Sequence, residues 1–174
     1  MEDLDIRESA PSDLAALEML YPDAFPDEDL LPVVRELLRD VPTILSLVAI
    51  IDGDVVGHVI FTTCTMTDWN DTAALLGPLG VASNRQKQGI GSALVKTGLR
   101  RLEMDGVRHV MVLGDPGYYG RFGFVAESHV PPPYELPAEW DGAWQSLRLG
   151  GADRAESGKL QLPKPWMKPA LWLP

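Results

Sequence analysis

A buried strand that leads through a polar turn into a glycine-containing helix constrains this chain more than any other feature. The strand is predicted over Ala73–Val81, because it is apolar at nearly every position, as strands buried on both faces are. The polar turn Ser83–Gln88 follows, and the helix predicted over Gly89–Met104 has its apolar residues on one face. Val107–Leu113 predicts a second buried strand. The sequence therefore predicts a strand–helix–strand unit in the middle of the chain.

The start of this helix predicts an anion-binding site. The first N–H groups of a helix have no intrahelical partner, and they lie at the positive end of the helix dipole. Gly89 and Gly91 let a bulky phosphate approach the backbone closely, and Gln86, Lys87 and Gln88 add donors just before the helix. The pattern indicates a phosphate without specifying which one.

Three phosphate-binding templates compete for this segment. A P-loop requires G-x-x-x-x-G-K-[ST], which this sequence lacks. A dinucleotide-binding Rossmann fingerprint requires G-x-G-x-x-G/A, whereas Gly89-Ile90-Gly91 is followed by Leu94 and preceded by a turn that is too long. A nicotinamide-dinucleotide enzyme stays open as the physical alternative, with Asp115 as a loose match for its ribose-binding acid. The third template, Q/R-x-x-G-x-G/A, is filled completely by the residues from Gln86 to Gly91.

Two blocks of the sequence resemble the GNAT acetyltransferase superfamily. The first, 79–94, is similar to the acetyl-CoA-binding motif of that family. The second, Leu113–Phe124, is similar to its Y-x-x-φ-G-F signature and lies at a similar distance from the first. Ile6-Arg7 followed by Ser12-Asp13-Leu14 resembles the opening of such a domain. The resemblance extends over roughly residues 4–150.

The resemblance implies an α/β (α+β) fold with three layers, αβα: a mixed, mostly antiparallel central sheet flanked by helices. The strands 73–81 and 107–113 are expected to run parallel and to splay apart. We expect a single domain over 1–174, with late strands and a Pro- and Trp-rich tail in 127–174. The last part of that tail, 163–174, has no predicted structure.

The resemblance also implies an N-acetyltransferase that moves an acetyl group from acetyl-CoA, as co-substrate and without a metal, to a primary amine. The acceptor is expected to be a small molecule or a peptide, and its amine to attack the thioester directly. Cofactor binding is expected at two sets of residues: the strand end Leu79, Gly80 and Val81, whose backbone would bond the pantetheine arm, and the turn and helix start Gln86, Lys87, Gln88, Gly89, Ile90, Gly91 and Ser92. A non-catalytic acyl-CoA-binding sensor module stays open as the alternative.

Tyr119 is the predicted catalytic residue. It stands four residues before Gly123, at the position of the family's general acid. A phenol with a pKa of about 10 is protonated at neutral pH and can donate to the leaving thiolate. Tyr118 is predicted to be structural. Asp115 stands where many relatives have Asn, and we expect it to cap the short helix that follows it.

The sequence assigns no general base. His58 lies in a predicted strand, where a lone histidine is expected to be structural. Three acidic residues stay open as bases: Asp68, Asp71 and Glu127. Trp69 and Tyr21 either line the acceptor site or pack in the core.

The part of the chain before residue 68 predicts a strand, two helices and a hairpin. The predicted segments are the strand Leu4–Arg7, a helix opened by Ser12-Asp13, the loop Tyr21–Pro26, the helix Asp27–Asp40, and the strands Ile44–Ile51 and Val55–Thr63. Asp52-Gly53-Asp54 between the last two strands is a strong hairpin signal.

Net charge and cysteine content limit which partners this protein can bind and where in the cell it is expected. The net charge is −10 and the pI about 4.6, so the chain is a poor non-specific binder of nucleic acid. Cys64 is the only cysteine, which excludes an intrachain disulfide and a Cys-based zinc cluster. Met1–Asp5 lacks the features of a signal peptide, and the longest apolar stretches are strand-sized. We therefore expect a cytoplasmic protein without nucleic-acid or membrane partners, and a homodimer stays open because such domains often pair.

Overall fold

The computed structural model describes residues 3–67, 70–153 and 158–173. The strands are β1 (Leu4–Glu8), β2 (Ile44–Ile51), β3 (Asp54–Met66), β4 (Thr72–Val81), β5 (Val107–Leu113), β6 (Val125–Ala126), β7 (Trp144–Arg148) and β8 (Leu160–Gln161). The helices are α1 (Leu14–Ala24), α2 (Leu31–Asp40), α3 (Ile90–Met104) and α4 (Pro116–Tyr119).

The backbone groups into two compact units, as far as each is described. Unit 1 takes Met1–Phe61 and Gly77–Arg101, and unit 2 takes Thr62–Leu76 and Leu102–Pro174. The chain therefore passes from one unit to the other within β3, β4 and α3. The prediction of a single domain over the whole chain stays a prediction.

Unit 1 contains the strand order β1-β2-β3-β4. β1 pairs antiparallel with β2 from Leu4↔Ile51 to Glu8↔Leu47. The turn between β2 and β3 has positive φ at Asp52 (51°) and at Gly53 (81°), as a two-residue hairpin turn with the correct twist requires. The predicted hairpin is confirmed.

Helices cover both faces of β3 in unit 1. A Cβ at Gly98 of α3 would lie 2.1 Å from the ring of Phe61, so only glycine permits this approach of α3 to the strand. His58 points to the opposite face, because side chains alternate along a strand, and it contacts Tyr21 of α1. The predicted three-layer arrangement of a mixed, mostly antiparallel sheet between helices is confirmed.

Two predicted helix boundaries are wrong. The segment Tyr21–Pro26 was expected to be a loop, yet α1 continues through Pro22 to Ala24. Pro22 lies in the last turn, where its missing N–H costs one bond and does not stop the helix at once. The helix expected over Asp27–Asp40 begins only at Leu31, with Pro32 in its first turn, where a proline loses no intrahelical bond.

Unit 2 contains the parallel pair that the sequence predicts. The first half of β4 pairs with β5 from Thr72↔Val107 to Leu76↔Val112. β5 then pairs antiparallel with β7, β7 pairs with β6, and β8 pairs with the end of β3. β4 itself continues beyond Leu76 to Val81. The predicted splay beyond this point stays a prediction.

The tail for which the sequence predicts no structure contributes to the core of unit 2. It forms two 3₁₀ turns, Lys164–Trp166 and Pro169–Trp172, and both tryptophans at their ends are buried. The indole N–H of Trp166 donates to the hydroxyl of Thr62 (3.0 Å), and that of Trp172 donates to the carbonyl of Trp166 (3.0 Å). In the described part of the chain, no helix has both the length and the apolarity needed to span a bilayer.

Candidate active site

The end of β4 has one half-exposed face and one buried face. Leu79 and Val81 are half-exposed, whereas Gly80 between them is buried. A Cβ at Gly80 would lie 3.3 Å from the ring of Phe25 and 3.7 Å from that of Tyr21. A larger side chain would therefore push β4 away from α1, so Gly80 sets how closely the two elements pack.

Two glutamine amides fasten the turn between β4 and α3. Nε2 of Gln86 donates to the carbonyl of Val81 (3.2 Å), and Nε2 of Gln88 lies 3.5 Å from the carbonyl of Asn84. The sequence predicted these two residues as ligand donors. In the structure their amides contact the turn itself and fix its shape.

The start of α3 has the backbone geometry of an anion site. Lys87 and Gly89 both have positive φ, 62° and 85°. A Cβ at Gly89 would meet no heavy atom within 4 Å, so the space beside this backbone is open. α3 then begins at Ile90, and Gly91 and Ser92 fall in a first turn without acidic residues. These residues fit an anionic group such as a polyphosphate, because helix N-terminal N–H groups and the helix dipole favour negative charge.

Asp23 is a site residue that the sequence analysis missed. Its carboxylate accepts from the backbone N–H of Ser83 (2.8 Å) and from the Ser83 hydroxyl (2.7 Å). These hydrogen bonds hold the pKa of Asp23 below its usual value. The contact ties the end of α1 to the turn before α3. An acidic residue in the last turn of a helix opposes the helix dipole, and that local conflict is a signal for a tertiary role.

A chain of four hydrogen-bonded side chains runs from the core of unit 1 to the half-buried Ser9. The hydroxyl of Tyr21 lies 2.6 Å from Nδ1 of His58, and Nε2 of His58 lies 2.8 Å from Oγ of Ser46. The hydroxyl of Ser9 continues the chain, 2.6 Å from that of Ser46. Burial lowers the pKa of His58 to about 3, so its ring is neutral at neutral pH. His58 and Tyr21 are core residues, and for Tyr21 the structure favours packing over lining a cleft.

Tyr119 is held over the backbone at the end of β5, within unit 2. A Cβ at Gly114 would lie 2.4 Å from the Tyr119 ring, so the ring sits where a side chain would otherwise be. The ring of Phe124 packs edge-on against it, with centroids 5.8 Å apart. Burial raises the pKa of Tyr119 above its ordinary value, so the phenol stays protonated at neutral pH. Asp115 accepts from the N–H of Gly117 (2.9 Å), which confirms the predicted helix cap.

Comparison with known proteins identifies the family. The family model described as the acetyltransferase (GNAT) family matches residues 12–124. The chain is 33% identical over 140 residues to YjhQ of Escherichia coli, an uncharacterised N-acetyltransferase, covering 76% of this chain and 77% of that protein. The chain belongs to the GNAT acetyltransferase family.

Solved structures agree with this assignment. A GNAT-family acetyltransferase of Brucella melitensis, solved with acetyl-CoA, superposes with a TM-score of 0.76 at 29% identity and covers 95% of this chain and 99% of its own. YhbS of Escherichia coli, solved with CoA, superposes with a TM-score of 0.81 at 26% identity. The match covers 97% of this chain and 94% of the YhbS chain. The predicted family, fold and acetyl-CoA-dependent N-acyltransferase activity are confirmed. These relatives give no support to the sensor alternative.

Glu127 of this GNAT enzyme organises a loop. One oxygen of its carboxylate accepts from the backbone N–H groups of His129 (2.6 Å) and Val130 (2.9 Å). The other accepts from the hydroxyl of Ser146 at 2.7 Å. A carboxylate with these three donors is committed to local structure, which weakens its candidacy as a base.

Of the remaining acidic candidates for the base, the structure describes only Asp71. Asp71 lies 3.3 Å from Nε2 of the buried His109. Asp68 and Trp69 lie outside the described residues. Cys64 is buried, and burial raises the pKa of its thiol to about 12, so it packs as a small apolar residue. No group of three or more His, Cys, Asp or Glu residues in the described ranges is placed to hold a metal ion.

Proposed function

We propose that this GNAT enzyme transfers the acetyl group of acetyl-CoA to a primary amine of a small molecule or a peptide by direct attack of the neutral amine on the thioester. The observation that carries the proposal is the start of α3. There, positive φ at Lys87 and Gly89, open space beside Gly89 and a first turn without acidic residues favour the pyrophosphate of CoA.

The end of β4 is the proposed site of the pantetheine arm. The pairing of β4 with β5 extends from Thr72 to Leu76, and beyond it an arm with two amides can hydrogen-bond to the backbone of Leu79 and Val81. The carbonyl of Val81 already accepts from Gln86, but a carbonyl oxygen has two lone pairs and can accept a second bond. Backbone N–H groups near Val81 are proposed to stabilise the oxyanion that forms during attack.

Tyr119 is the proposed partner of the leaving thiolate. Its raised pKa means that the phenol keeps its proton at neutral pH and can donate a hydrogen bond as negative charge develops on the sulfur. Once the C–S bond has broken, the proton passes to the thiolate and is replaced from solvent. The proton of the amine is proposed to leave through water.

The binding half of the proposal is tested by calorimetric titration with acetyl-CoA, with NADH as a parallel probe. Gly91→Glu places a carboxylate in the first turn of α3, and we expect it to weaken acetyl-CoA binding by about a hundredfold through charge repulsion. Gly91→Gln is the matched neutral control. Gly89 is a less suitable position, because any side chain there is strained by its φ of 85°. Equal affinity for the Glu and Gln variants would remove the phosphate assignment, and NADH binding would restore the dinucleotide alternative.

The catalytic half is tested by Tyr119→Phe, which keeps the ring over Gly114 and removes the hydroxyl. We expect kcat to fall by about a hundredfold while acetyl-CoA affinity stays unchanged, because the hydroxyl acts in the transition state. Turnover is followed as CoA thiol released in the presence of a panel of amines. A parallel loss of affinity and kcat would show that Tyr119 is structural.

A further inference from the structure

Unit 1 contains a cavity that the proposed acetyl transfer does not use. Its volume is about 430 Å³, within the range of roughly 300–1,000 Å³ typical of small-molecule sites. It is formed where the end of β1, the start of α1, α2 and the start of β2 meet, and none of its lining residues belongs to the proposed CoA-binding segment 79–92. We call it the Ser46 cavity, after the residue at its inner wall.

The Ser46 cavity is separated from the CoA-binding segment by buried side chains. Ser46 bonds to His58, and His58 bonds to Tyr21, whose ring packs near Gly80. His58 and Tyr21 are almost completely inaccessible to solvent. Protein therefore fills the space between the cavity and Gly80, so an amine in the cavity has no path to a thioester held at the end of β4.

The lining of the cavity combines an apolar wall with a cationic rim. The wall is formed by Pro11, Leu14, Leu38 and Ile44. The rim carries Arg35 and Arg39, which pair with Glu18 (2.5 Å) and Asp40 (2.8 Å). Both pairs are exposed, so solvent screens them. Arg35 uses Nη2 in its pair and Arg39 uses Nε and Nη2, so each guanidinium has further N–H groups that can donate to a second anion.

The lining contains two guanidiniums and one carboxylate, and the partners of the guanidiniums, Glu18 and Asp40, lie outside it. Glu8 also lines the cavity, but it pairs with Arg101 of α3. The serine hydroxyls at the inner wall, Ser9 and Ser46, bond to each other and add no charge. The lining thus favours a ligand with one anionic end and a short apolar body over a cation of the same shape.

We propose that the Ser46 cavity binds a small amphipathic carboxylate, with its chain against the apolar wall and its carboxylate on Arg35 and Arg39. This site lies beyond the acetyl-transfer function and does not depend on it. Bidentate geometry makes arginine the residue best suited to hold a carboxylate.

The probe is hexanoate, titrated by calorimetry into the protein saturated with CoA, so that the CoA-binding segment is occupied. We expect saturable binding with a Kd on the order of 1 mM, as suits a ligand of this size. Hexanamide has the same shape without the charge, and we expect it to bind about tenfold more weakly or worse. If the protein binds no CoA, the same titration is run without it. Failure of the proposed CoA binding can then be distinguished from failure of the proposed carboxylate site.

Two independent variants assign the binding to the cavity. Arg35→Gln with Arg39→Gln removes both rim cations and should weaken hexanoate about tenfold or more, whereas Arg100→Gln removes an exposed cation outside the cavity and should change nothing. Leu38→Trp fills the cavity and should abolish binding with both arginines in place. Circular dichroism and CoA affinity check the fold of each variant. The proposal is overturned by the absence of saturable hexanoate binding, by equal binding of hexanamide, or by full affinity in the Leu38→Trp protein.

Discussion

Unit 1 buries a chain of side chains that hydrogen-bond to one another, whereas unit 2 buries tryptophans that donate mostly to the backbone. In unit 1, the chain links Ser9, Ser46, His58 and Tyr21. In unit 2, the indoles of Trp144 and Trp172 donate to main-chain carbonyls, and that of Trp166 donates to the hydroxyl of Thr62.

The two arrangements make the units sensitive to different changes. Each indole has one donor and a large apolar surface, so truncating a buried tryptophan in unit 2 mainly opens a cavity. In unit 1 each member of the chain satisfies its neighbour, so removing one polar atom leaves another buried and unpaired. We therefore expect unit 2 to respond to lost volume and unit 1 to lost hydrogen bonds.

The largest expected effect is that of Trp172→Ala. Trp172 is 2% exposed and packs edge-on against Trp144 and Trp166, so truncation should cost about 3–5 kcal/mol of the free energy of unfolding. Urea denaturation followed by circular dichroism measures the loss. Trp140→Ala, at a half-exposed position, is the matched control and should cost less.

Trp172→Phe separates volume from hydrogen bonding in the same unit. Phenylalanine keeps most of the ring and loses the indole N–H that donates to Trp166. If the comparison holds, Trp172→Phe costs much less than Trp172→Ala. Equal costs for the two variants would mean that the hydrogen bond, not the volume, stabilises this core.

The next effect is that of Tyr21→Phe in unit 1, where no volume is lost. The change leaves Nδ1 of the buried His58 without its partner at 2.6 Å and should cost about 1–3 kcal/mol. Urea denaturation measures the cost, and Tyr134→Phe at a half-exposed position serves as control. A double-mutant cycle with Ser46→Ala should show coupling across His58. If Tyr21→Phe leaves the free energy of unfolding unchanged, the expected difference between the two units is wrong.

The features that the sequence predicted correctly are those with a local physical cause. The hairpin at Asp52 and Gly53 needs two adjacent positive φ values, and Asp-Gly supplies them. The turn before α3 and the cap at Asp115 are likewise each determined by a few neighbouring residues. The segment proposed to bind CoA could therefore be identified from its sequence motif.

The features that the sequence analysis missed depend on residues far apart in the chain. Ser46 and Ser9 are 37 positions apart, and Trp166 and Thr62 are 104 apart. Neither pair leaves a periodic pattern, because only the folded sheet brings its members together. The contact between Asp23 and the turn before α3 could not be predicted for the same reason. The Ser46 cavity could not be predicted either, because its lining residues meet only in the folded unit.

The smallest expected effect concerns an ion pair of unit 1 that lies outside the hydrogen-bonded chain, between Arg7 and Asp13. The Asp13 carboxylate accepts from both Nη atoms of Arg7 (2.8 and 2.9 Å) and from the N–H of Ala10 (2.6 Å). The hydrogen bond from Arg7 is the main cause that lowers the pKa of Asp13 to about 2. In the unfolded chain that pKa is about 3.9, so the folded state is favoured whenever the carboxylate is ionised.

This contribution is fully present above a pH of about 4 and is lost as the pH falls towards 2. Because Arg7 is 45% exposed and solvent screens the pair, we expect about 1 kcal/mol. Asp13→Asn removes the ionisable group, so the variant should be less stable than the wild type near neutral pH, and the difference should shrink in acid. Urea denaturation of both proteins at several pH values measures it. A difference that stays constant with pH would show that Asp13 acts through its hydrogen bonds alone, and the contact between Arg7 and Asp13 would then depend on geometry rather than on charge.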